Sequence, residues 1–410
     1  MRILARFGLV AAALLCTFAV FQHWQSARAA GGPAPNGGGT YRVLAPIESG
    51  NLLLFPVVKA SGEATGETPF ITLDEGFKSG EVEVTEAGKA RGLVRPRGPA
   101  QPWNENANRG DEVNTLVLVN RSKRPLLLLA GEIVTGGKQD RIIAKDRIVP
   151  ADADPIDLSV FCIEPGRWTE TSSTFHASAK SSTNSIMVQP EVRERAMVEQ
   201  NQQEVWNSVH GAISQMEAAA APPVAGGASG GLGHGSPVPR ALGTTSYAKA
   251  MQDGTVSQKV DEAVAPVMQA REQVLAKLRG DHAVGVVVAV RGEIIWADLF
   301  ANTDLLSRYW TKLVRSYAAE SLVEGESHAV PSVAEAQLFL NAPSGGTESS
   351  AGDVGVYRYR ELKYGDAETF VLESLLPGTG YDVHVSKMKL RGQERQSEKP
   401  RPKFEPPILR

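Results

Sequence analysis

The sequence predicts an α+β fold with a β-rich, sandwich-like N-terminal half, followed by helices, a β-hairpin and a short C-terminal sheet. The N-terminal half holds near-continuous apolar runs, VNTLVLV at 113–119 and LLLLAGEIV at 126–134, which are typical of strands buried on both faces. Apolar residues then recur at helical spacing over about 190–216 and again over 302–321. Strand-like segments return at 354–360, 368–373 and 381–389.

The first thirty residues predict a secretory signal. Arg2 and Arg6 give a positive start, FGLVAAALLCTFAVF at 7–21 is an apolar stretch of signal length, and Ala27-Arg28-Ala29 is a small-x-small cleavage pattern. The apolar stretch is shorter than the roughly 20 residues of a membrane span. We therefore expect an exported protein, periplasmic or extracellular. The alternative is an uncleaved N-terminal membrane anchor.

Composition divides the rest of the chain. Residues 31–39, GGPAPNGGG, predict a flexible spacer, and the Ala/Gly/Pro-rich stretch 219–243 predicts a linker inside the fold. The Pro-rich, charged tail at 389–410 predicts disorder. One interrupted domain is thus expected over 40–388.

The charge balance excludes some classes of partner. The first thirty residues carry three Arg and no acid, so the remaining chain carries 40 basic and 46 acidic side chains. This balance argues against binding to nucleic acid. No other run is long and apolar enough to span a membrane after signal cleavage. The histidines lack metal-ligand spacing, and no Walker A, GxSxG or HExxH motif is present, so no metal and no cofactor is predicted.

Two early segments show strand patterns. Residues 41–60 predict two strands around Ser49-Gly50-Asn51, and Pro56 favours an edge position for the second. In IDLSVFCIEPG, which starts at Ile156, apolar residues alternate and place Cys162 on the apolar face. Since signal cleavage would leave this cysteine alone, we expect a buried, unreactive free thiol.

Helical patterns follow. A helix is predicted to begin near Pro190, which suits the first turn, and a second helix is predicted over 256–278 with a kink at Pro266. The apolar face of the helix near Pro190 is predicted to contain Val198, Val205, Val209, Ile213 and Met216.

The C-terminal half has clear turn and cap signals. AVGVVVAVRGEIIWADLF predicts a hairpin that turns at Arg291-Gly292. Asn302 or Thr303 is expected to cap a helix that runs to about Ser321. Ser332, with a glutamate three residues later, predicts a capping box on a short helix.

The segment GGKQDRIIAKDRIVP at 136–150 repeats the triplet Asp-Arg-Ile. Neither a straight strand nor a helix gives it a clean apolar face, so two short extended pieces are predicted. One interpretation is a hairpin edge guarded by charges against edge pairing. The other is an anion site in which Lys138, Gln139, Arg141 and the glycine turn would supply cations and N–H groups.

A second candidate is CIEPGRW at 162–168. Glu164, Arg167 and Trp168 combine an acid, a guanidinium and a stacking ring around a Pro-Gly turn, which suits a nucleotide-like ligand. A structural corner would use the same parts, with Arg167 paired to Glu164. A Cys162–His176 nucleophile pair is a further alternative without a local motif.

These two segments resemble a known family. GEIVTGGKQDRI followed by CIEPGRW is similar to the signature of the ARG and Rhodanese-Phosphatase-superfamily-associated Protein domain. The resemblance covers roughly 40–388, with weaker likeness in GVVVAVRGEIIWADLF and in the terminal YDVHVS. It implies a fold and a candidate surface rather than a reaction. Asp140 departs from the family habit, in which Asn is common there.

Three functional hypotheses follow. The first is an exported, non-catalytic domain that binds a small anionic or nucleotide-like ligand, or an envelope protein, through Lys138, Gln139, Arg141, Glu164, Arg167 and Trp168. The second is a hydrolase of a phosphate- or ribose-containing substrate, with Glu164 as general acid or base. The third is an envelope scaffold. The first two require that 136–149 and 162–168 converge in space.

Overall fold

The computed structural model describes residues 41–59, 67–89, 114–177, 186–221, 241–269, 271–322, 329–342, 346–379 and 382–390. Within these ranges the chain forms three sheets and eight α-helices. The strand-rich N-terminal half, the central helices and the C-terminal strands confirm the predicted α+β class.

The largest sheet joins the two ends of the described chain. Its strands are β1 (Tyr41–Val43), β2 (Ile47–Ser49), β3 (Leu52–Lys59), β13 (Ala283–Val290), β14 (Glu293–Phe300), β15 (Thr347–Asp353), β16 (Tyr357–Tyr364), β17 (Ala367–Ser374) and β18 (Asp382–Lys389). They run in the order β1-β3-β13-β14-β18-β17-β16-β15, with β2 also on β3. Leu52 in β3 lies opposite Val290 in β13, so early and late strands share one sheet.

A second sheet closes on itself. Its strands are β5 (Val82–Glu86), β6 (Thr115–Asn120), β8 (Ile133–Gly136), β9 (Arg141–Ile143), β11 (Ile156–Cys162) and β12 (Phe175–Ala177), in the order β12-β8-β9-β11-β6-β5. An isolated bridge joins Thr85 of β5 to Thr174, the residue before β12, and so brings the two outer strands together. We call this ring the barrel. Val84, Leu118 and Val160 belong to its apolar cluster, because alternate residues of each strand face inward.

A small three-stranded sheet of β4 (Ile71–Thr72), β7 (Leu126–Leu128) and β10 (Arg147–Val149) packs beside the barrel. The pair β4–β7 is parallel, and β10 is antiparallel to β7. Because β10 follows directly from β9, the segment 136–150 leaves the barrel after its first Asp-Arg-Ile triplet and enters this sheet at the second.

In the described ranges, eight α-helices pack around the sheets. They are α1 (Leu73–Ser79), α2 (Pro190–Glu194), α3 (Gln202–Ala219), α4 (Tyr247–Gln252), α5 (Gly254–Gln269), α6 (Arg271–Gly280), α7 (Thr303–Ser321) and α8 (Val333–Asn341). The helices α5, α6 and α7 contact one face of the large sheet. A π-turn, Arg195–Glu199, continues α2. The long helix α7 is buried along nearly its whole length in the main apolar cluster, whereas the short α8 packs on the opposite face of the sheet.

Several local predictions agree with these elements. Pro190 is the first residue of α2, and Asn302 caps α7 by accepting a hydrogen bond from the Leu305 N–H at 2.9 Å. Ser332 forms the predicted capping box of α8, and the predicted hairpin turns at Arg291-Gly292. The helix predicted over 256–278 is instead two helices, α5 and α6, and α5 continues past Pro266.

Other predictions fall outside the described residues. These are the signal at 1–30, the spacer at 31–39, the linker between 222 and 240, and the tail from 391. Within the described ranges, no helix combines the length and the apolar character that a membrane crossing requires.

Candidate functional site

One end of the barrel brings the two sequence candidates together. The strand β8 ends here at Gly136, β9 begins at Arg141, and β11 ends at Cys162. The β8–β9 turn contains Lys138, and the residues after β11 contain Trp168. A hydrogen bond from the Ile163 N–H to the Asp140 carbonyl, 3.0 Å long, fixes the two segments against each other.

Glu164 is the hub of this junction. Its carboxylate is buried and accepts from the Asp140 N–H at 3.1 Å, from Lys249 Nζ at 2.8 Å and from Arg167 Nη2 at 2.5 Å. Its backbone carbonyl accepts from Gln139 Nε2 at 3.1 Å. Burial alone would raise the pKa of Glu164, but the bonds from Arg167, Lys249 and Asp140 outweigh burial and lower the pKa. Glu164 is therefore ionised at neutral pH.

Arg167 ties the glycine turn to the same hub. Its Nη1 donates to the Gly137 carbonyl at 3.0 Å and its Nη2 donates to the Gly136 carbonyl at 3.3 Å. Its Nη2 also lies 3.5 Å from Asp140 Oδ1. Its Nη1 donates to the Thr169 carbonyl as well, at 2.7 Å. A guanidinium that spans two carboxylates and three carbonyls is fixed in direction, since each bond restricts the planar fork.

Close packing and backbone conformation require glycine at positions 136 and 137. Gly136 and Gly137 have φ values of 123° and 50°, which favour glycine. A side chain on Gly137 would collide with the Phe175 ring and with Glu86, which accepts a hydrogen bond from the Lys138 N–H at 2.8 Å. The close approach that the glycines permit is thus to the barrel itself.

A segment that follows the Ala/Gly/Pro-rich stretch forms hydrogen bonds with this junction. Ser246 Oγ donates to Asp140 Oδ2 at 2.7 Å, the Tyr247 N–H donates to the Ile163 carbonyl at 3.1 Å, and Thr245 Oγ1 donates to the Pro165 carbonyl at 2.6 Å. Together with Lys249, these residues contact both signature segments. We call residues 244–249 the strap.

The indole of Trp168 forms the outer surface of the junction. It is 45% exposed, which is unusual for so large an apolar side chain. Lys138 Nζ lies 5.0 Å and Arg141 Cζ lies 5.8 Å from the ring centre. Both distances suit cation–π contacts. We call Lys138, Glu164, Arg167 and Trp168, with Lys249, the Trp168 corner.

The six predicted site residues therefore lie together but differ in access. Gln139, Arg141 and Glu164 are buried, and burial lowers the pKa of Arg141. Only Trp168, Lys138 and Arg167 reach the surface. Their role in ligand binding stays a prediction.

Cys162 and the second triplet serve other contacts. Cys162 is a free, buried thiol whose pKa is raised by burial, while His176 is exposed on β12. In the second triplet, Asp146 Oδ2 pairs with His384 Nδ1 at 2.6 Å, and Arg147 Nη2 reaches Asp353 at 3.0 Å, so neither side chain belongs to the junction. Both partners belong to the large sheet.

No sequence pattern predicted the strap. Residues 244–249 follow a low-complexity stretch and carry no motif, and Ser246, a residue type that favours the N-cap of a helix, is their only local signal. The strap supplies Lys249, whose side chain is 55% exposed and is the most accessible cation of the corner.

Comparison with known proteins supports the resemblance noted in the sequence. A family model of the ARG and Rhodanese-Phosphatase-superfamily-associated Protein domain (ARPP-1) matches residues 40–388. Comparisons with curated proteins and with solved structures find no match. The matched range includes the barrel, the large sheet and both signature segments. The chain therefore belongs to the ARG and Rhodanese-Phosphatase-superfamily-associated Protein domain family.

Proposed function

We propose that the chain is an exported, non-catalytic binding domain whose Trp168 corner recognises a small anionic, nucleotide-like ligand. The observation that carries this proposal is the exposed indole of Trp168 beside Lys138, on a corner whose buried ion pairs hold it rigid. A ring of the ligand would stack on the indole in place of the Lys138 ammonium. The displaced ammonium would then pair with the anionic group.

Charge and rigidity support a binding role. The carboxylates of Asp140 and Glu164 are buried and paired, so they present little negative charge to an approaching anion. The accessible charges of the corner are cationic and belong to Lys138, Lys249 and, in part, Arg167. A surface held by Arg167 and the strap loses little conformational entropy on binding, which favours affinity.

The hydrolase hypothesis has weaker support. A general acid needs a pKa close to the working pH, whereas the pKa of Glu164 is lowered. Both carboxylate oxygens of Glu164 are also engaged by donors from the protein.

Calorimetric titration of the full chain tests the proposal, with adenosine monophosphate as the probe and adenosine and inorganic phosphate as its separate halves. We expect adenosine monophosphate to bind most tightly. Trp168→Ala should weaken binding by about 5-fold to 150-fold, since stacking of a base on an aromatic ring is worth about 1–3 kcal/mol. Lys138→Ala should weaken the nucleotide but not adenosine.

Matched controls are available on the same molecule. Tyr364 is 47% exposed, close to the value for Trp168, and Lys78 is an exposed lysine at the end of α1. Tyr364→Ala and Lys78→Ala should leave affinity unchanged. No binding of the nucleotide, or equal affinity in wild type and Trp168→Ala, would refute the proposal.

The exported location rests on the signal-like segment at 1–30. N-terminal sequencing of the protein from its native cell, after fractionation, tests it. Export predicts a mature N-terminus close to residue 30 in the envelope or extracellular fraction. An intact Met1 in the membrane fraction would favour the uncleaved anchor, and an intact Met1 in the cytosol would contradict export.

A further inference from the structure

The outer strand β15 has an open hydrogen-bonding edge. Among the described residues, no strand pairs with its outer side. Its sequence, TESSAGD, has six of its seven residues exposed. The pairing with β16 runs from Thr347 opposite Lys363 to Asp353 opposite Tyr357 without a register shift.

Natural edge strands of this length are usually protected. Charged side chains, lysine above all, proline or a bulge hinder the addition of another strand. The strand β15 has no lysine, proline or bulge, and its two charges lie near its ends, with Asp353 already paired to Arg147. Such an edge is able to accept a further antiparallel strand.

We propose that the added strand is β15 of a second copy, with Ser350 of one copy opposite Ser350 of the other. The outward-pointing backbone groups of an edge strand recur at every second residue. Two copies of one edge can therefore pair only when even-numbered residues lie opposite even-numbered residues and odd-numbered residues lie opposite odd-numbered ones. Among these, the register centred on Ser350 pairs all seven residues of β15.

Charge also fits this register. Glu348 would lie opposite Gly352, and Asp353 would lie opposite Thr347. No acid faces an acid, although both strands are acidic, so the destabilising like-charge pair is avoided.

Two exposed apolar side chains provide a separate argument. Val354 follows β15 and is fully exposed, and Tyr364 is half-exposed. Val354 belongs to the turn between β15 and β16, so the register brings this turn of one copy to the end of the paired strands at which Gly346 and Tyr364 of the other copy lie. The two-fold symmetry repeats this contact.

Light scattering coupled to gel filtration, on the full chain, tests the pairing. We expect the wild type at about twice its 43.8 kDa chain mass. Ser350→Lys and Ser350→Glu should each halve the measured mass, because each places like charges opposite each other at the symmetry axis. An equimolar mixture of the two variants should restore the dimer.

Ser350→Gln is the matched control. It enlarges the side chain at the same position without adding a charge, so the dimer should persist. Ser350 is exposed, and unchanged circular dichroism will show that the variants remain folded. A monomeric wild type, a dimer that survives both Ser350 variants, or a mixture that stays monomeric would overturn the proposal.

Discussion

Each aspartate of the doubled Asp-Arg-Ile triplet accepts one hydrogen bond from a backbone N–H and one from a side chain. Asp140 accepts from the turn before it and from Ser246, and Asp146 accepts from the Ala130 N–H at 2.7 Å and pairs with His384. Exposed ion pairs contribute only about 0–1 kcal/mol, but buried donors left without an acceptor are costly. The repeat thus provides two buried anchors, one for the strap and one for the large sheet.

Removal of the charge on Glu164 should destabilise the fold. Glu164→Gln keeps the shape but leaves Arg167 and Lys249 without their carboxylate, and we expect a loss of about 1.5–3 kcal/mol in the free energy of unfolding. Urea denaturation measures it. Glu170→Gln is the control, because Glu170 pairs with Lys89 at the surface and should change stability by less than about 0.5 kcal/mol. Equal losses in the two variants would show that Glu164 is not a hub.

The burial of Cys162 predicts slow thiol chemistry. With Cys16 replaced by serine in the full chain, a thiol reagent should leave the native protein unmodified, because Cys162 is inaccessible and burial raises its pKa. After unfolding in urea, one thiol should react. Fast labelling of the native protein would contradict this and would revive the nucleophile hypothesis.

At the scale of elements, α4 carries the strap onto the barrel. Ser246 caps α4 by accepting from the Lys249 N–H at 3.2 Å, and its hydroxyl donates to Asp140. One side chain therefore both starts the helix and fixes the helix to the first triplet.

Ser246→Ala should destabilise both the helix α4 and the turn that contains Asp140. We expect a loss of about 1–2 kcal/mol from the missing cap, and faster hydrogen exchange in 137–141 as well as in 244–252. Ser332→Ala removes a similar cap from α8 and should leave exchange in 137–141 unchanged. If Ser246→Ala speeds exchange in the helix alone, the strap does not support the turn.

Strong local signals explain which elements could be predicted. The hairpin of β13 and β14 combines apolar strands with a two-residue turn, and α7 and α8 begin at cap residues. The strand β15 was missed because TESSAGD has no apolar alternation, and only its pairing with β16 makes it a strand. The contact of the strap with Glu164 could not be predicted either, because it joins positions 85 residues apart without a motif.

At the scale of the whole molecule, a buried polar network joins the sheets and helices. Arg193 of α2 makes two hydrogen bonds to Asp298 of β14, at 2.9 and 3.1 Å, and Tyr317 of α7 also bonds to Asp298. His384 of β18 lies between Asp298 and Asp146, and all of these charged groups are buried. Removal of one member should therefore affect several elements together.

This network predicts a loss of stability at alkaline pH. Burial opposes protonation of His384, but Asp146 and Asp298 raise its pKa to about 9. The stabilisation is complete below the unfolded pKa near 6.5 and is lost as pH rises through 9, by up to about 3 kcal/mol. Lys387, whose pKa burial lowers to about 8, acts in the opposite direction, so variants must be compared.

Urea unfolding at pH 6 and pH 9.5 measures the effect. The change in stability between these values should be more unfavourable in wild type than in His384→Gln. His176→Gln alters an exposed histidine and should behave as wild type. An identical change in wild type and His384→Gln would contradict the role of His384.

The pairing of β3 with β13 has a consequence for biosynthesis. The ribosome completes β3 at Lys59 and reaches β13 only at Ala283, so at usual elongation rates the nascent β3 waits on the order of ten to fifty seconds for its neighbour. During this delay its apolar side chains, LLLFPVV, have only the neighbouring β1 and β2 to pair with and lack the rest of the sheet. The large sheet therefore cannot be completed before most of the chain has been synthesised.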